Sequence, residues 1–391
     1  MIASVRHGLR TIIHGLLGAC LATTPAIAGS QPDALLGLPA VIVPVDNPLT
    51  QAKVELGKKL FMDRRLSPND TMSCAMCHVP EQGFTVNELA TPIGFEGKSL
   101  RRNAPTLLNV ALQTSFLRDG SKPTLEAQVW GPLLAKNEMA NGSVDTVVAR
   151  INSMPDYRNL FAWAFGGKAP SEVTIAQAIA SYERTLLAGN SRFDRWYFGK
   201  QQEALTLQEQ AGFRVFVSSG CSNCHSLDEK TATFADGRFH NTGAHGLKQQ
   251  QSTQPISVQL APGVMVTIDP RELATVSEPE QMDEGRFEVS ANPADRHAFK
   301  TPSLRNVALT APYMHDGSLA TLEAVIDFYS LKVAGNNYRS PLLTTLNLSA
   351  EEKRDLVAFL KSLTSDNVAE LSRTARAAFQ RGQSEAVQER Y

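Results

Sequence analysis

The sequence predicts a mainly α-helical protein made of two similar domains in tandem. Residues 105–127 recur without gaps as residues 302–324, and 13 of the 23 positions are identical. A Cys-x-x-Cys-His motif precedes each copy, beginning at Cys74 and at Cys221. Apolar residues recur at helical spacing, whereas strand signals are few and short. The chain of 391 residues is long enough to bury two cores.

The first 28 residues have the pattern of a signal peptide. Arg6 and Arg10 precede an apolar stretch, and Ala26-Ile27-Ala28 forms a small-x-small cleavage site. The alternative is lipoprotein processing in front of Cys20, which would anchor the chain by a lipid. Either interpretation predicts export, and we expect the protein in the periplasm.

The composition of the chain is that of an ordinary globular protein. Hydrophobic residues make up 42%, charged residues 20%, and the formal net charge is −1. Without a basic excess we expect no nucleic-acid partner. After residue 28 no segment approaches the ~20 apolar residues that cross a bilayer, so we expect no transmembrane span in the mature chain.

The four cysteines beyond the leader carry the main chemical signal. Two disulfides, a zinc ribbon or a thioredoxin-like redox pair could each use Cys74, Cys77, Cys221 and Cys224. None of these alternatives explains a histidine directly after both pairs, at positions 78 and 225. Two thioether bonds and a proximal histidine are the attachment pattern of haem c. We therefore predict two c-type cytochrome domains, each carrying one covalently attached haem.

These motifs and the repeat divide the chain. The predicted parts are a signal peptide over 1–28, a first cytochrome domain over 29–200, a second over 201–366 and a charged tail over 367–391. A polar stretch over 242–284 is interpreted as a surface insertion in the second domain. The tail lacks a strong apolar face, and we expect a peripheral helix or partial disorder there.

Helices are predicted at several places within the two domains. Apolar spacing predicts one over 171–188, and a Ser349-x-x-Glu352 capping box opens another over 350–362. In each copy a further helix follows Asp-Gly-Ser-x-x-Thr-Leu-Glu, at Asp119 and at Asp316.

The two copies differ at the place where helical cytochromes offer a sixth iron ligand. Tyr329 lies on this helix in the second copy, and its counterpart in the first copy is Pro132, which has no donor atom. The haem held by His78 is therefore predicted to have an open position. The haem held by His225 can be closed by Tyr329, although a core tyrosine is the alternative.

At this point the sequence resembles the bacterial di-haem cytochrome c peroxidase and MauG family, over about residues 49–363. The resemblance rests on these segments: Cys74-x-x-Cys77-His78, Arg102-Asn103-x-Pro105-Thr106, Gly131-Pro132 with Glu138-Met139, Phe239-His240-Asn241-Thr242-Gly243, and Thr301-Pro302-x-Leu304-Arg305-Asn306. Tyr329 matches the methionine ligand of the peroxidases, as in the MauG-like branch. Phe95 is nearest to the position of a histidine that closes the first haem in many peroxidases.

The resemblance also implies roles for residues that look unremarkable alone. Glu138 is implied as the acid-base group that moves protons during peroxide cleavage, with Gln128 as its polar neighbour. Asn103, Thr310 and Pro312 match a calcium site between the haems, so one Ca²⁺ is expected. Arg118 stands where most relatives have a tryptophan between the haems.

Several other candidates are better explained by packing. Trp130 is interpreted as a core aromatic, and Met282 as a weak alternative ligand only. Met314 and His315 are interpreted as packing and hydrogen-bonding groups, and His240 and His297 as satisfied structural histidines.

Three functions remain open. The first is a MauG-like enzyme that reacts with hydrogen peroxide at the haem of His78 and oxidises a protein or electron-donor substrate. The second is a periplasmic cytochrome c peroxidase fed by a small cytochrome or copper protein. The third is a di-haem electron carrier without catalytic activity.

Overall fold

A computed structural model describes Met1 and residues 35–245, 256–261, 264–268, 282–330 and 339–377. The predicted signal peptide and Cys20 lie outside these residues. Among the described helices, none has the length and apolar character needed to cross a membrane.

The described chain is mainly helical, as predicted, with short 3₁₀ turns between the helices. The α-helices are α1 Gln51–Met62, α2 Cys74–Cys77, α3 Leu125–Leu134, α4 Val144–Ser153, α5 Pro155–Ala164, α6 Glu172–Glu183, α7 Arg192–Tyr197, α8 Leu207–Ser218, α9 Phe287–Ser290, α10 Leu322–Ser330, α11 Ala350–Ser362 and α12 over 368–377. The described strands are β1 Phe239–His240, β2 Ile256–Ala261, β3 Val264–Ile268 and β4 Phe299–Lys300, paired antiparallel as β1 with β4 and β2 with β3.

The same helix pair forms the centre of each half. In the first half α1 packs on α6, and in the second α8 packs on α11. A glycine permits each close crossing: a Cβ on Gly57 would lie 1.9 Å from the carbonyl oxygen of Ala178, and one on Gly212 would lie 1.9 Å from that of Asp355. The two halves therefore also share the packing of this helix pair, which lies outside the repeated sequence.

A left-handed asparagine links the repeat to the last helix of each half. Asn109 and Asn306 both have φ 61°. The side chain of Asn109 accepts from the N–H of Ala188 and donates to its carbonyl oxygen, both at 2.8 Å. The side chain of Asn306 accepts from the N–H of Ser365 at 2.8 Å. Helix α6 therefore ends at Glu183, before the predicted Ala188, because the following backbone pairs with Asn109.

The two halves meet in a joint with approximate twofold symmetry. The N–H of Asn103 donates to the carbonyl oxygen of His315 at 2.8 Å, and the N–H of Lys300 donates to that of Arg118, also at 2.8 Å. Asn103 and Lys300 are counterparts in the repeat, as are Arg118 and His315. Each half thus offers one backbone donor and one backbone acceptor to the other half, at equivalent positions, as in a symmetric dimer.

A buried ion pair joins α7 to the second copy of the repeat. Arg305 donates two hydrogen bonds to the carboxylate of Asp194, each 2.9 Å long, and the two side chains are 2% and 0% exposed. Arg305 also donates to the carbonyl oxygen of Gly37 at 2.6 Å. Phe193 in α7 packs in the core of the second half.

The described part of the tail is a helix, one of the two expectations for it. Val368 and Ala375 of α12 are buried in the core of the first half. The hydroxyl of Ser372 donates to the carbonyl oxygen of Pro80 at 2.6 Å. Within the insertion, β2 and β3 form a hairpin that the prediction of a polar insertion did not include.

Candidate active site

The first Cys-x-x-Cys-His motif forms the short helix α2 and ends in a half-buried histidine. The Nδ1 of His78 lies 3.2 Å from the carbonyl oxygen of Phe84. Burial lowers the pKa of His78 to about 4, against the opposing effect of the Phe84 and Pro105 carbonyls. The ring is therefore neutral at pH 7, with its Nδ1 proton directed to the backbone and its Nε2 available as a ligand.

The second motif reproduces this arrangement with a different local backbone. Cys221–Asn223 is a 3₁₀ helix, whereas Cys74–Cys77 is an α-helix. The Nδ1 of His225 lies 2.9 Å from the carbonyl oxygen of Phe234. Burial lowers the pKa of this ring too. Both histidines thus have Nδ1 beside a backbone carbonyl oxygen.

The four motif cysteines do not fit the alternatives considered from sequence. None of them forms a disulfide. Burial raises the pKa of Cys77 to about 12 and that of Cys221 to about 11, whereas a redox-active cysteine has a lowered pKa. Among the described residues the one cluster with metal-ligand spacing takes a single cysteine, Cys224, with Asp236 and His240, so a four-cysteine zinc ribbon is excluded there.

A cavity of about 550 Å³ opens beside the first motif and extends to the second half. Such a volume is typical of cofactor and ligand sites. His78, Gln128, Pro132 and Glu138 all line it, so the structure brings together the residues predicted for this site. Burial raises the pKa of Glu138, and its carboxylate in turn contributes to the raised pKa of Cys77.

Phe95 lies against the same segment. Its N–H donates to the carbonyl oxygen of Glu138 at 2.9 Å, and its ring packs with the core residues around Cys74 and Cys77. Gly94 makes this approach possible, because a Cβ there would lie 1.9 Å from the carbonyl oxygen of Asn137. An apolar ring is therefore placed near the first motif.

Tyr329 lies near the second motif, at the end of α10. Burial raises the pKa of its phenol to about 12, and the neighbouring Cys221 and Cys224 contribute to the rise. The phenol is thus close to both cysteines, and its ring also packs edge-on against Phe328 at a centroid distance of 5.2 Å.

Comparison with known proteins decides the family. The model of the di-haem cytochrome c peroxidase family matches residues 51–202. The methylamine utilization protein MauG of Methylorubrum extorquens is 38% identical over 331 residues, 83% of this chain and 82% of its own. The chain belongs to the di-haem cytochrome c peroxidase family. It is therefore a di-haem enzyme of the peroxidase class.

Two further relatives agree with this assignment. The cytochrome c peroxidase IdrP1 of Denitromonas iodatirespirans is 34% identical over 374 residues, covering 93% of each chain. The crystal structure of a MauG-like protein associated with microbial copper homeostasis superposes with a TM-score of 0.68 at 35% identity, over 86% of this chain and 96% of that one. Both the peroxidases and MauG are thus among the relatives of this di-haem peroxidase.

One basic side chain of the cavity wall is suited to a haem propionate. Arg102 and Arg305 line the cavity but pair with carboxylates of Asp119, Asp283 and Asp194. Burial lowers the pKa of Lys300 to about 8, and its ammonium donates to two uncharged oxygens, those of the Gln113 amide and the Ser115 carbonyl, so a propionate would neutralise it. With the two motif histidines and the cysteines outside disulfides, this lysine fits the haem groups of the family. Sequence analysis missed Lys300; its signal is a lysine where the repeat has Asn103.

The predicted calcium residues meet on the same cavity wall but are not free to bind an ion. Asn103, Thr310 and Pro312 all line it, together with Arg118. Arg118 donates from Nη2 to the Oδ1 of Asn103 at 2.6 Å and from Nε to its carbonyl oxygen at 2.8 Å. The expected calcium site therefore does not fit, because a guanidinium already occupies its two asparagine oxygens.

The surroundings of the remaining candidates indicate packing or hydrogen bonding and not iron ligation. Trp130 packs against the first core, as predicted. Met282 is 52% exposed, which does not suit an iron ligand. His240 is satisfied by Asp236 at 2.7 Å and Ser340 at 3.2 Å, and the Nδ1 of His297 lies 3.0 Å from the carbonyl oxygen of Asp283.

The adjacent Met314 and His315 differ in their surroundings. Met314 lines the cavity. The ring of His315 stacks on Phe299 with 4.0 Å between centroids, at the joint between the halves.

Proposed function

We propose that the protein is a MauG-like di-haem enzyme, which reacts with hydrogen peroxide in the cavity beside His78 and oxidises a protein or electron-donor substrate. Cys74, Cys77 and His78 would hold the peroxide-reactive haem c. The second haem c would be held by Cys221, Cys224 and His225, and Tyr329 would serve as a further iron ligand. The observation that carries the proposal is the phenol of Tyr329 beside the second motif.

The haem bound at the first motif supplies the site where peroxide is reduced. Glu138 takes a proton from one peroxide oxygen and returns it to the leaving oxygen, for which a half-buried carboxylate with a raised pKa is suited. Gln128 offers an amide that can orient peroxide from the same wall. Pro132 and Phe95 offer no donor atom, so neither would compete with peroxide for the iron of a haem held by His78.

Tyr329 distinguishes this proposal from a scavenging cytochrome c peroxidase. A phenolate is an anionic ligand that stabilises ferric and higher oxidation states, whereas methionine raises the potential. Its pKa of about 12 describes the phenol without iron nearby. Metal coordination lowers the pKa of a ligand, so deprotonation on binding is expected.

The cellular setting proposed here follows from the leader and the haem motifs. The pattern over residues 1–28 supports export to the periplasm. The oxidised partner would be a periplasmic electron donor or protein.

The spectrum of the ferric protein tests the assignment of Tyr329. We expect one high-spin EPR signal from the haem of His78 and one low-spin signal from that of His225. Tyr329→Phe should change the low-spin signal and leave the high-spin signal in place. Tyr329→Met should raise the potential of the second haem, since a neutral thioether replaces an anion.

Phe328→Leu is the matched control, because this residue is buried next to Tyr329 but offers no ligand atom. It should preserve the low-spin signal. If Tyr329→Phe leaves the spectrum and potential of the second haem unaltered, the MauG-like proposal fails and the scavenging peroxidase is the better one.

A further inference from the structure

We infer that the guanidinium of Arg118 is the built-in cation of the joint between the halves, so that this enzyme holds its haem domains together without calcium. The expected calcium donors and Arg118 lie on one cavity wall. The inference is independent of whether the enzyme is MauG-like or a scavenging peroxidase.

The contact between Arg118 and Asn103 is a two-point clamp. Nε and Nη2 donate to the carbonyl oxygen and to the Oδ1 of Asn103, at 2.8 and 2.6 Å. The amide of Asn103 cannot turn freely, because its Nδ2 donates to the carbonyl oxygen of Ala90 at 3.0 Å. The side-chain oxygen is therefore held towards Arg118.

The backbones of both residues are fixed by the opposite half. The N–H of Asn103 donates to His315, and the carbonyl oxygen of Arg118 accepts from the N–H of Lys300, both at 2.8 Å. The clamp thus lies where the two halves exchange backbone hydrogen bonds. It stiffens the segments that form the joint.

The charge of Arg118 is retained and balanced. Burial lowers its pKa to about 10, with a contribution from Arg102, so the side chain stays protonated at neutral pH. Asp316 and Asp283 favour the charged form. Arg102 has its own carboxylates, Asp119 and Asp283, at 2.5 and 2.6 Å.

A calcium ion would have to displace this arrangement. Calcium needs six to eight oxygen ligands at about 2.3–2.6 Å. Both oxygens of Asn103 already accept from Arg118, and the hydroxyl of Thr310 donates to the carbonyl oxygen of Val307 at 3.2 Å. A divalent ion at this place would also repel the guanidinium.

Calcium analysis of the haem-loaded protein tests the inference. After washing with EGTA, the wild type should contain no stoichiometric calcium by elemental analysis. Its Tm should be the same in EGTA and in about 1 mM calcium, a concentration that fills even weak extracellular sites. Arg118→Gln should lower the Tm in EGTA, and calcium should restore it by on the order of 5 °C, because the freed oxygens can bind the ion.

Arg286→Gln is the matched control. It removes a guanidinium that crosses the joint, from Arg286 to the carbonyl oxygen of Asp119 at 2.9 Å, but leaves Asn103 untouched. Its Tm should not respond to calcium. One EGTA-removable calcium in the wild type, with a fall in Tm on removal, would overturn the inference.

Two further results, with variants at Arg118, also test the inference. A folded Arg118→Gln that ignores calcium would show that Arg118 does not stand in for the ion. If this variant does not accumulate, Arg118→Lys serves instead, since it keeps the charge while one ammonium replaces the two-point clamp. It should melt earlier without a calcium response, and such a response would contradict the inference.

Discussion

Glu138 differs from a surface glutamate in one respect, its burial. Loss of water around the carboxylate is the sole cause of its raised pKa. In contrast, Glu126 has a lowered pKa despite burial, because Arg184 and Asn47 donate to it. A buried carboxylate without a cation is available to exchange protons, which is the property required of an acid-base group.

Glu138→Gln should therefore slow the reaction with peroxide by about 10²-fold or more while both haems stay attached. The variant keeps the size and polarity of the side chain but cannot accept a proton. Stopped-flow mixing with peroxide measures the rate. Glu96→Gln is the control, because this carboxylate is exposed and paired with Lys98 at 3.3 Å, and it should leave the rate unchanged.

The pH dependence gives a second readout of the same residue. Only the ionised carboxylate can accept a proton, so the wild-type rate should fall as pH drops through the pKa of Glu138. Because burial raises this pKa, the fall should begin at a higher pH than for a free glutamate, about 4.3. Glu138→Gln should abolish this acid limb, and a limb that persists would assign it to another group.

For single residues, the sequence predicted which side chains lie in the site better than it predicted their hydrogen-bond partners. The cavity collects His78, Gln128, Pro132 and Glu138, which the sequence singled out by motif and resemblance. The sequence did not indicate that Arg118 would donate hydrogen bonds to both oxygens of Asn103. A hydrogen bond across 15 residues depends on how two loops fold together, and no local pattern encodes that.

Among the elements, the two central helix pairs depend on glycine. Gly57 and Gly212 lie outside the repeat over 105–127 and 302–324, yet they let α1 approach α6 and α8 approach α11 in the same way. In both cases the nearest neighbour is backbone rather than a movable side chain. A larger residue must separate the helices.

Gly212→Ala should lower the free energy of unfolding by about 1–3 kcal/mol, the usual cost of overpacking. The helix propensity of alanine opposes this loss by about 1 kcal/mol, but a Cβ placed 1.9 Å from the Asp355 carbonyl oxygen outweighs it. Urea unfolding followed by circular dichroism measures the change. Gly142→Ala, with nothing within 4 Å, should be near neutral; equal effects at both sites would refute the packing argument.

Helices with strong end signals were predictable, whereas contacts over long distances were not. Helix α11 spans Ala350–Ser362 as predicted, because the Ser349 and Glu352 capping box marks its start. Helix α12 was harder to predict, since only the sparse positions 368, 371 and 375 pack on the first half. The hairpin of β2 and β3 has alternating residues on both sides of Pro262-Gly263, a signal that the polar composition of the insertion obscured.

For the whole molecule, the joint resembles the interface of a dimer whose subunits became one chain. The exchanged backbone hydrogen bonds follow the internal symmetry, but the ion pair of Asp194 and Arg305 departs from it. It joins α7 to the second copy of the repeat, within the second half. Removing one partner leaves a charge buried and unpaired, which is costly.

Asp194→Asn should lower the free energy of unfolding by about 3–5 kcal/mol, because Arg305 then stays charged without its counter-ion. Urea unfolding of the haem-loaded protein provides the measurement. Asp366→Asn breaks a pair between Arg195 and an aspartate that is 58% exposed, and it should cost no more than about 1 kcal/mol. Equal losses in the two variants would mean that burial of the first pair contributes nothing.

The return of α12 to the first half has a consequence for biosynthesis. Ser372 and Pro80 are 292 positions apart, so the first haem motif emerges long before one of its packing partners has been made. Until then Phe61 and Leu186 lack the apolar cover of Val368 and Ala375. Contacts so distant in sequence form late and slowly. A prematurely terminated chain therefore carries its defect at the opposite end of the sequence, as an exposed apolar surface that chaperones and proteases can recognise.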